Sequence, residues 1–266
     1  MKKGARAMFD GVWSHMRNAY QHHAILIEFL TGKIIASQVI FKNDRANLGN
    51  YEDKKPSNLM EISALRLMKD DLVDERICSF CSEGDIKIKN FIKTLDRKTP
   101  LTFSKDPGHE CLSIIRSLKI LSSKNSNVFQ PLINNFTKFL EHIVIKIVDP
   151  VKREKVYLNI SAHYSGKHDP ELCMHSQNSI YVQFFNSTNN ETFTLFQNFL
   201  NKTLKHIREI VPGQSTQLNE SFNHHSKKFI NKLYSYRSFY RLRSAISMLD
   251  WNEPFYINEI LKRLDS

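Results

Sequence analysis

Cysteine is scarce in this chain, with four residues in 266. Four cysteines are too few for a disulfide scaffold at this length, which favours a reducing compartment. No apolar run reaches the roughly 18 residues of a membrane span, so no membrane association through a span is expected. The first 20 residues are basic but lack a continuous apolar core, so they do not resemble a signal peptide. Internal repeats and low-complexity tracts are absent from the sequence.

Acidic residues are outnumbered by basic ones. The chain carries 38 Lys and Arg against 27 Asp and Glu, for a formal net charge of +11 and a pI near 9.4. This excess favours a polyanionic partner, most often nucleic acid and sometimes an anionic membrane surface. The hydrophobic share of 41% is that of an ordinary globular protein with a sizeable core.

The apolar patterning predicts an α/β fold. Strands are predicted at 5–13, 20–30, 33–41, 76–82 and 101–104, and helices at 60–72, 85–95 and 110–121. The resulting order is β-β-β-α-β-α-β-α, which is the element order of the RNase H-like fold, a mixed sheet with helices on both faces. Because the first strand begins within a few residues of the start, we expect a fragment or a catalytic core separated from an upstream domain.

The pattern of the remaining residues predicts that an insertion interrupts the α/β core. Residues 1–124 form its first part, and residues 125–212 form a mostly helical insertion around a polar, Asn-rich centre. Residues 213–266 return to the core and carry the last acid.

Acidic residues at three separate points could form a two-metal site. Asp10 lies inside an otherwise apolar strand, where Asp is disfavoured. Glu83 and Asp85 follow the fourth predicted strand, and Glu220 lies in a late helical segment. Carboxylates at these places suit Mg²⁺ or Mn²⁺, which clamp the oxygens of a phosphodiester during cleavage. The alternatives are a turn, an N-cap at Asp85 and a solvated Glu220.

Five stretches in order resemble the Mutator-like group of DDE transposases: FDGVWSHMRNA (9–19), GNYED…SNLME (49–61), the Glu-Gly-Asp, DPGH (106–109) and TQLNESFN (216–223). The tail RLRSAISMLDWN (241–252) is similar too. The resemblance implies DNA cleavage and strand transfer in the nucleus, with Asp10 as the first acid and Glu220 as the third. Where that family has Asp, this chain has Glu83, so Asp85 is the alternative second ligand.

Two other functions stay open beside the transposase. One is a transposase-derived protein that binds DNA without catalysis, which the departure at Glu83 favours. The other is an RNase H-like nuclease without strand transfer. The family pattern also places His109, in DPGH, on the side of the active site. A homo-oligomer is compatible with each of these functions.

A second cluster is a candidate zinc site. His168, Cys173 and His175 resemble a short His/Cys segment of the family's insertion. Structural zinc takes about four ligands, and the candidates for the fourth are His109, Cys111, Cys78 and Cys81. The last two have CxxC spacing, but on a strand their sulfurs point to opposite sides, so we interpret both as core residues.

The closing segment is basic and aromatic. Its cations are candidates for contact with the phosphate backbone of DNA: Lys227, Lys228, Lys232, Arg237, Arg241 and Arg243. The alternative is an amphipathic helix with a solvated basic face. Its aromatic side chains are expected to pack against the core rather than to stack on bases.

Overall fold

The fold is taken from a computed structural model of the whole chain. The structure describes residues 4–13, 21–41, 58–167, 169–172, 183–185, 190–211, 214–231, 236, 239–254 and 262. The chain divides into two compact units, one of residues 1–104 with 215–266 and the other of residues 105–214. The second unit begins at residue 105, twenty residues before the expected start of the insertion, because the helix that follows residue 106 packs with the later helices of that unit.

The first unit is built on five strands. They are β1 (Ala5–Trp13), β2 (Gln21–Glu28), β3 (Ile34–Phe41), β4 (Ile77–Ser82) and β5 (Thr102–Lys105). The sheet order is β3-β2-β1-β4-β5, with β2 antiparallel to both β1 and β3 and with β1 parallel to β4. The sheet is therefore mixed, as the sequence predicted, and β1 and β4 are neighbours.

One face of this sheet is covered by α1 (Asn58–Leu67), α2 (Lys69–Leu72) and α3 (Ile86–Lys93). Phe9 of β1 and Phe80 of β4 stack on that face, with ring centroids 5.8 Å apart. The predicted apolar stripe of the helical segment lies in this core: Ile62, Leu65, Met68 and Leu72 are all buried. The segment is two helices rather than one, because the chain departs from helical geometry at Met68.

The opposite face carries α8 (Gln217–Ser226) and α9 (Phe239–Asn252). Phe222 of α8 is fully buried in a core that it shares with Met8, Ile25, Ile27 and Cys81. Its ring meets Trp251 of α9 edge-on at 5.7 Å. Helices therefore lie on both faces of the sheet, as predicted.

The second unit is helical. It comprises α4 (Pro107–Lys124), α5 (Gln130–Lys146), α6 (Pro150–His163) and α7 (Asn190–Arg208). Its core is aromatic, with Phe136 and Phe196 meeting edge-on at 5.7 Å. Buried Arg153 donates to the carbonyls of Ile147, Val148 and Ile210, which satisfies backbone oxygens near the ends of α5 and α7.

The sequence did not predict α6. Its start has a clear local signal, since Asp149 accepts hydrogen bonds from the backbone N–H groups of Val151 and Lys152 and Pro150 is the first helical residue. Among the helices that the structure describes, none has the length and apolar character that crossing a bilayer requires.

Candidate functional site

Asp10 lies near the C-terminal end of β1, and both of its carboxylate oxygens are held. Oδ1 accepts the backbone N–H of Gly11 at 2.7 Å. Oδ2 accepts the side-chain amide of Asn223, on α8, at 2.8 Å. The polar residue in this apolar strand is thus fixed in orientation and stays half-buried.

The end of β4 brings a second acid level with Asp10. The last paired residues of the two parallel strands are Met8 and Cys81. Two residues further along the chain stand Asp10, still in β1, and Glu83, just beyond the end of β4. Because parallel strands end at the same edge of a sheet, Glu83 and Asp85 both follow β4 at the edge towards which β1 runs.

Gly84 and Asp85 turn the chain from β4 into α3. Gly84 has a φ of +99°, a conformation that glycine adopts without strain. Asp85 is the N-cap of α3, and its Oδ1 accepts the backbone N–H of Lys87 at 2.6 Å. The N-cap interpretation of Asp85 is confirmed, whereas a metal role for Glu83 or Asp85 stays a prediction.

A fourth carboxylate, Glu61, was missed by the sequence reasoning. It lies half-buried in the first turn of α1. Burial first, and then the negative charges of Asp10, Glu83 and Asp85, together raise the pKa of Glu61 to about 8. The structure therefore brings Asp10, Glu83 and Asp85 within electrostatic reach of Glu61. Glu61 stood inside the SNLME stretch of the resemblance, and that position was the signal for it.

Glu220 lies on α8, one turn before Asn223. Its side chain is exposed. The helix that carries it is tied to the sheet, because buried Asn219 donates to the carbonyls of Met8 at 3.3 Å and Ile25 at 3.5 Å. The structure thus places the third predicted acid on a helix that contacts Asp10, on the solvent side.

Two amide oxygens on α8 lack hydrogen-bond partners. Asn219 Oδ1 and Asn223 Oδ1 are both buried, and neither has a partner among the described residues. An unsatisfied buried acceptor costs about 1–3 kcal/mol. Asn223 Oδ1 belongs to the amide that donates to Asp10, so one of these unsatisfied acceptors lies at the candidate site.

Two buried histidines of β2 lie next to Gly11 and Phe222. The ring of His22 lies over Gly11, where an added Cβ would meet its Cε1 at 1.9 Å. His23 packs edge-on against Phe222. Burial first, and then the neighbouring His23, together lower the pKa of His22 to about 3, and burial lowers the pKa of His23 to about 4. Both rings are neutral at neutral pH, so neither offsets the charge of the carboxylates.

The donor atoms at the site are of the kind that a hard cation prefers, but the side chains are not close together. Within the described part of the chain, no three acidic, His or Cys side chains stand close enough to hold a metal ion. Carboxylate and amide oxygens are nevertheless the ligands that Mg²⁺ and Mn²⁺ prefer.

The zinc prediction falls largely outside the described residues, which exclude His168, Cys173 and His175. Of the proposed fourth ligands, Cys78, Cys81 and Cys111 form no disulfide in the described part of the chain. The core interpretation is confirmed for buried Cys81. It is wrong for Cys78, which is exposed in the second position of β4 and whose thiol donates to the carbonyl of Gly4 at 3.3 Å.

His109 lies in the first turn of α4, in the second unit. Its backbone N–H donates to Asp106, the N-cap of that helix. A neighbouring cluster joins buried Glu110 to His206 and to Lys105, whose Nζ lies 3.4 Å from Oε1 of Glu110. These contacts join α4 and α7 to Lys105 within the second unit, so they serve the fold of that unit.

The basic closing segment is only partly described. Lys227 and Lys228 are exposed at the end of α8, whereas Lys232 and Arg237 lie outside the described residues. On α9, the guanidinium of Arg241 lies 4.9 Å from the ring centroid of Phe41. Arg243 lies over the ring of Tyr236 at 4.4 Å and donates to the carbonyl of Phe229. Both arginines are exposed and oriented by aromatic rings.

A cleft of about 450 Å³ separates α1 from α3. Its floor includes Ile62 and Phe91, and its rim includes Arg66 and Lys87. No acidic residue is among the residues that line the cleft.

The comparisons with known proteins do not identify a family for this chain. No family model matches the sequence, and neither a curated protein nor a solved structure shows significant similarity to it. The resemblance to Mutator-like transposases therefore stays a hypothesis that rests on the five motifs and on the geometry above.

Proposed function

We propose that this chain is the catalytic core of a DDE transposase of the Mutator-like type, with an RNase H-like fold and DNA as its substrate. The observation that carries the proposal is that Asp10, Glu83 and Asp85 lie near enough to Glu61 to contribute to the raised pKa of its carboxyl. The sheet order and the helices on both faces also support it. A nuclear location is part of the same proposal.

Each acid has a role in the proposed reaction. Asp10 is held by Gly11 and Asn223 so that its carboxylate faces the site without reorganising. Glu83 reaches the site from the end of β4, with Asp85 as the alternative, and Glu220 approaches from α8. A bound Mg²⁺ or Mn²⁺ pair would activate water and stabilise the charge of the phosphodiester undergoing cleavage. Glu61 adds a carboxylate that is protonated until a cation is present.

Cleavage of supercoiled plasmid DNA tests this proposal. We expect Mg²⁺- or Mn²⁺-dependent nicking by the wild type and a loss of at least about 100-fold in Asp10→Asn, since one ligand of the metal is removed. Glu141→Gln, an exposed carboxylate of α5 in the second unit, is the matched control and should nick like the wild type. Absence of nicking by the wild type with either metal would contradict the proposal.

Products joined to a target DNA distinguish the transposase from a nuclease without strand transfer. A duplex with a free 3′-hydroxyl end, incubated with the protein and plasmid, should yield joined products if the chain transfers strands. Nicking without joined products would assign the nuclease function instead.

The second candidate is a DNA-binding protein without catalysis. Two observations favour it: the exposed side chain of Glu220 and the lack, among the described residues, of three acidic, His or Cys side chains at metal-binding distance. Fluorescence anisotropy with a short duplex tests it, since binding that persists with EDTA in a protein that never nicks would support this function. Arg66→Ala with Lys87→Ala should weaken binding several-fold, and Lys69→Ala with Lys93→Ala, exposed cations outside the cleft, is the charge-matched control.

Three further expectations belong to the proposal. A zinc ion at His168, Cys173 and His175 would show as about one equivalent of zinc in the purified protein. Phosphate contacts by Lys227 and Lys228 would show as a reduced salt dependence of DNA binding in their Ala variants. A homo-oligomer would show as a molar mass that is a multiple of 31.1 kDa.

A further inference from the structure

The cleft between α1 and α3 is lined by one face of each helix. Its residues on α1 are Leu59, Ile62, Ser63 and Arg66, which are spaced at i, i+3, i+4 and i+7. Residues with this spacing lie on one side of a helix over two turns, which is about 10 Å along its axis. The wall that α1 provides is therefore a continuous helical face.

The wall that α3 provides repeats this spacing with Lys87, Asn90, Phe91 and Thr94. Each wall thus spans about two helical turns. The volume of about 450 Å³ is within the range of sites that hold a bound group. An apolar cleft of this form can accept one face of an amphipathic helix from a partner protein.

The floor of the cleft is apolar and partly accessible. Ile62 is buried, whereas Leu59 and Phe91 are half-buried and pack against the core on this face of the sheet. The core supports these side chains from below, and their upper surfaces stay in contact with water. A partner that covers this floor with apolar side chains would remove that surface from water, which is favourable.

The charges at the cleft are positive. Arg66 and Lys87 are exposed, and no acidic residue is among the described residues that line the cleft. α3 carries three lysines and no acidic residue. The one acidic residue of α1, Glu61, has a pKa of about 8 and is therefore mostly protonated at neutral pH. Carboxylates on a partner would be complementary to this charge.

We propose that the cleft between α1 and α3 binds an acidic amphipathic helix of a partner protein. The apolar side chains of that helix would cover Ile62 and Phe91, and its carboxylates would contact Arg66 and Lys87. A nucleic-acid duplex would contact the two cations through its phosphates, but it has no apolar side chains to place on the floor. An acidic amphipathic helix uses both features, so the observations favour it. The inference goes beyond the proposed function, because this binding needs neither metal nor DNA.

Fluorescence anisotropy with synthetic peptides tests the inference in the full chain, without metal or DNA. The probe is a labelled peptide of about 16 residues, long enough to form a helix when bound. It has leucines at i, i+3, i+4 and i+7 and glutamates on both sides of them. Two matched peptides have lysine in place of every glutamate or alanine in place of every leucine. We expect saturable binding of the probe and at least about 10-fold weaker binding of both matched peptides.

Variants of the protein locate the binding. Arg66→Ala with Lys87→Ala should weaken binding of the acidic peptide by about 5-fold or more, because both cations that face its carboxylates are removed. Lys69→Ala with Lys93→Ala, which removes two exposed cations outside the cleft, is the charge-matched control and should bind the peptide like the wild type. Urea unfolding midpoints check that each variant is folded.

Several results would overturn the inference. They are no binding of the acidic peptide at submillimolar concentrations, equal binding of either matched peptide, and equal affinity in Arg66→Ala with Lys87→Ala. An oligonucleotide that this double variant binds more weakly than the wild type does, with no binding of any peptide, would assign the cleft to nucleic acid instead. Peptide binding by a protein that never nicks DNA would leave this inference standing while the proposed function fails.

Discussion

Removing the charge of Glu61 should stabilise the protein above neutral pH. The pKa of Glu61 is raised from 4.5 to about 8, by burial first and then by Asp10, Glu83 and Asp85. The folded state therefore keeps a proton that the unfolded chain releases. Stability contributed by this proton is fully present below pH 4.5 and is lost as pH rises towards 8.

The size of the effect follows from the shift. Each pH unit between 4.5 and 8 lowers the free energy of unfolding by about 1.4 kcal/mol, which gives a ceiling near 5 kcal/mol. Because the side chain is only half-buried, solvent screening reduces the expected loss to about 2–3 kcal/mol. Glu61→Gln keeps the shape and cannot ionise, so at pH 8 it should exceed the wild type in stability by that amount.

Urea unfolding at pH 5, 6, 7 and 8 measures the difference. The gap between Glu61→Gln and the wild type should be small at pH 5 and should widen with each step. Glu141→Gln, on the surface of α5, should stay within about 0.5 kcal/mol of the wild type throughout. A gap between Glu61→Gln and the wild type that does not change with pH would refute the raised pKa of Glu61 and the burial from which it mainly follows.

Three other variants test the surroundings of the site. Gly11→Ala should destabilise the protein by about 1–3 kcal/mol in urea unfolding, because the added Cβ would lie 1.9 Å from the ring of His22. The double variant with His22→Ala should recover part of that loss. The neutral ring of His23 contributes up to about 3 kcal/mol of stability above pH 6.5, and this contribution is lost as pH falls towards 4. In His23→Leu the free energy of unfolding should therefore fall less steeply between pH 6.5 and 4 than in the wild type. An equally steep fall in both proteins would contradict the conclusion that burial keeps His23 neutral. Asp85→Ala should cost about 1 kcal/mol by removing the N-cap of α3, while Asp85→Asn should cost less because Asn also caps; equal losses would show that the charge of Asp85, and not its cap, matters.

The sheet could be predicted from the sequence because its strands are locally marked. The apolar stretch at 5–13 and the Thr-Gly-Lys turn at 31–33 bound strands that the structure reproduces to within a few residues. The helical geometry is interrupted at Met68, but apolar periodicity alone predicts one continuous helix there, because the buried face continues across the break.

The candidate site was predictable only in part. Asp10 was conspicuous because an Asp in an apolar strand requires an explanation. Glu61 was not, because an acid in the first turn of a helix is ordinary on electrostatic grounds. Only the packing of α1 against the sheet brings it to the other acids. The contact between Asn223 and Asp10 spans 213 residues, and no local pattern encodes such a pairing.

The most direct test of the account is a calorimetric titration of the wild type and Asp10→Asn with Mn²⁺. The central claim is that carboxylates from β1, α1 and the end of β4 form one cation site. The account predicts saturable binding by the wild type, a loss of that binding in Asp10→Asn and a weaker affinity in Glu61→Gln. Binding by Asp10→Asn equal to that of the wild type, or no binding by the wild type at millimolar Mn²⁺, would contradict it.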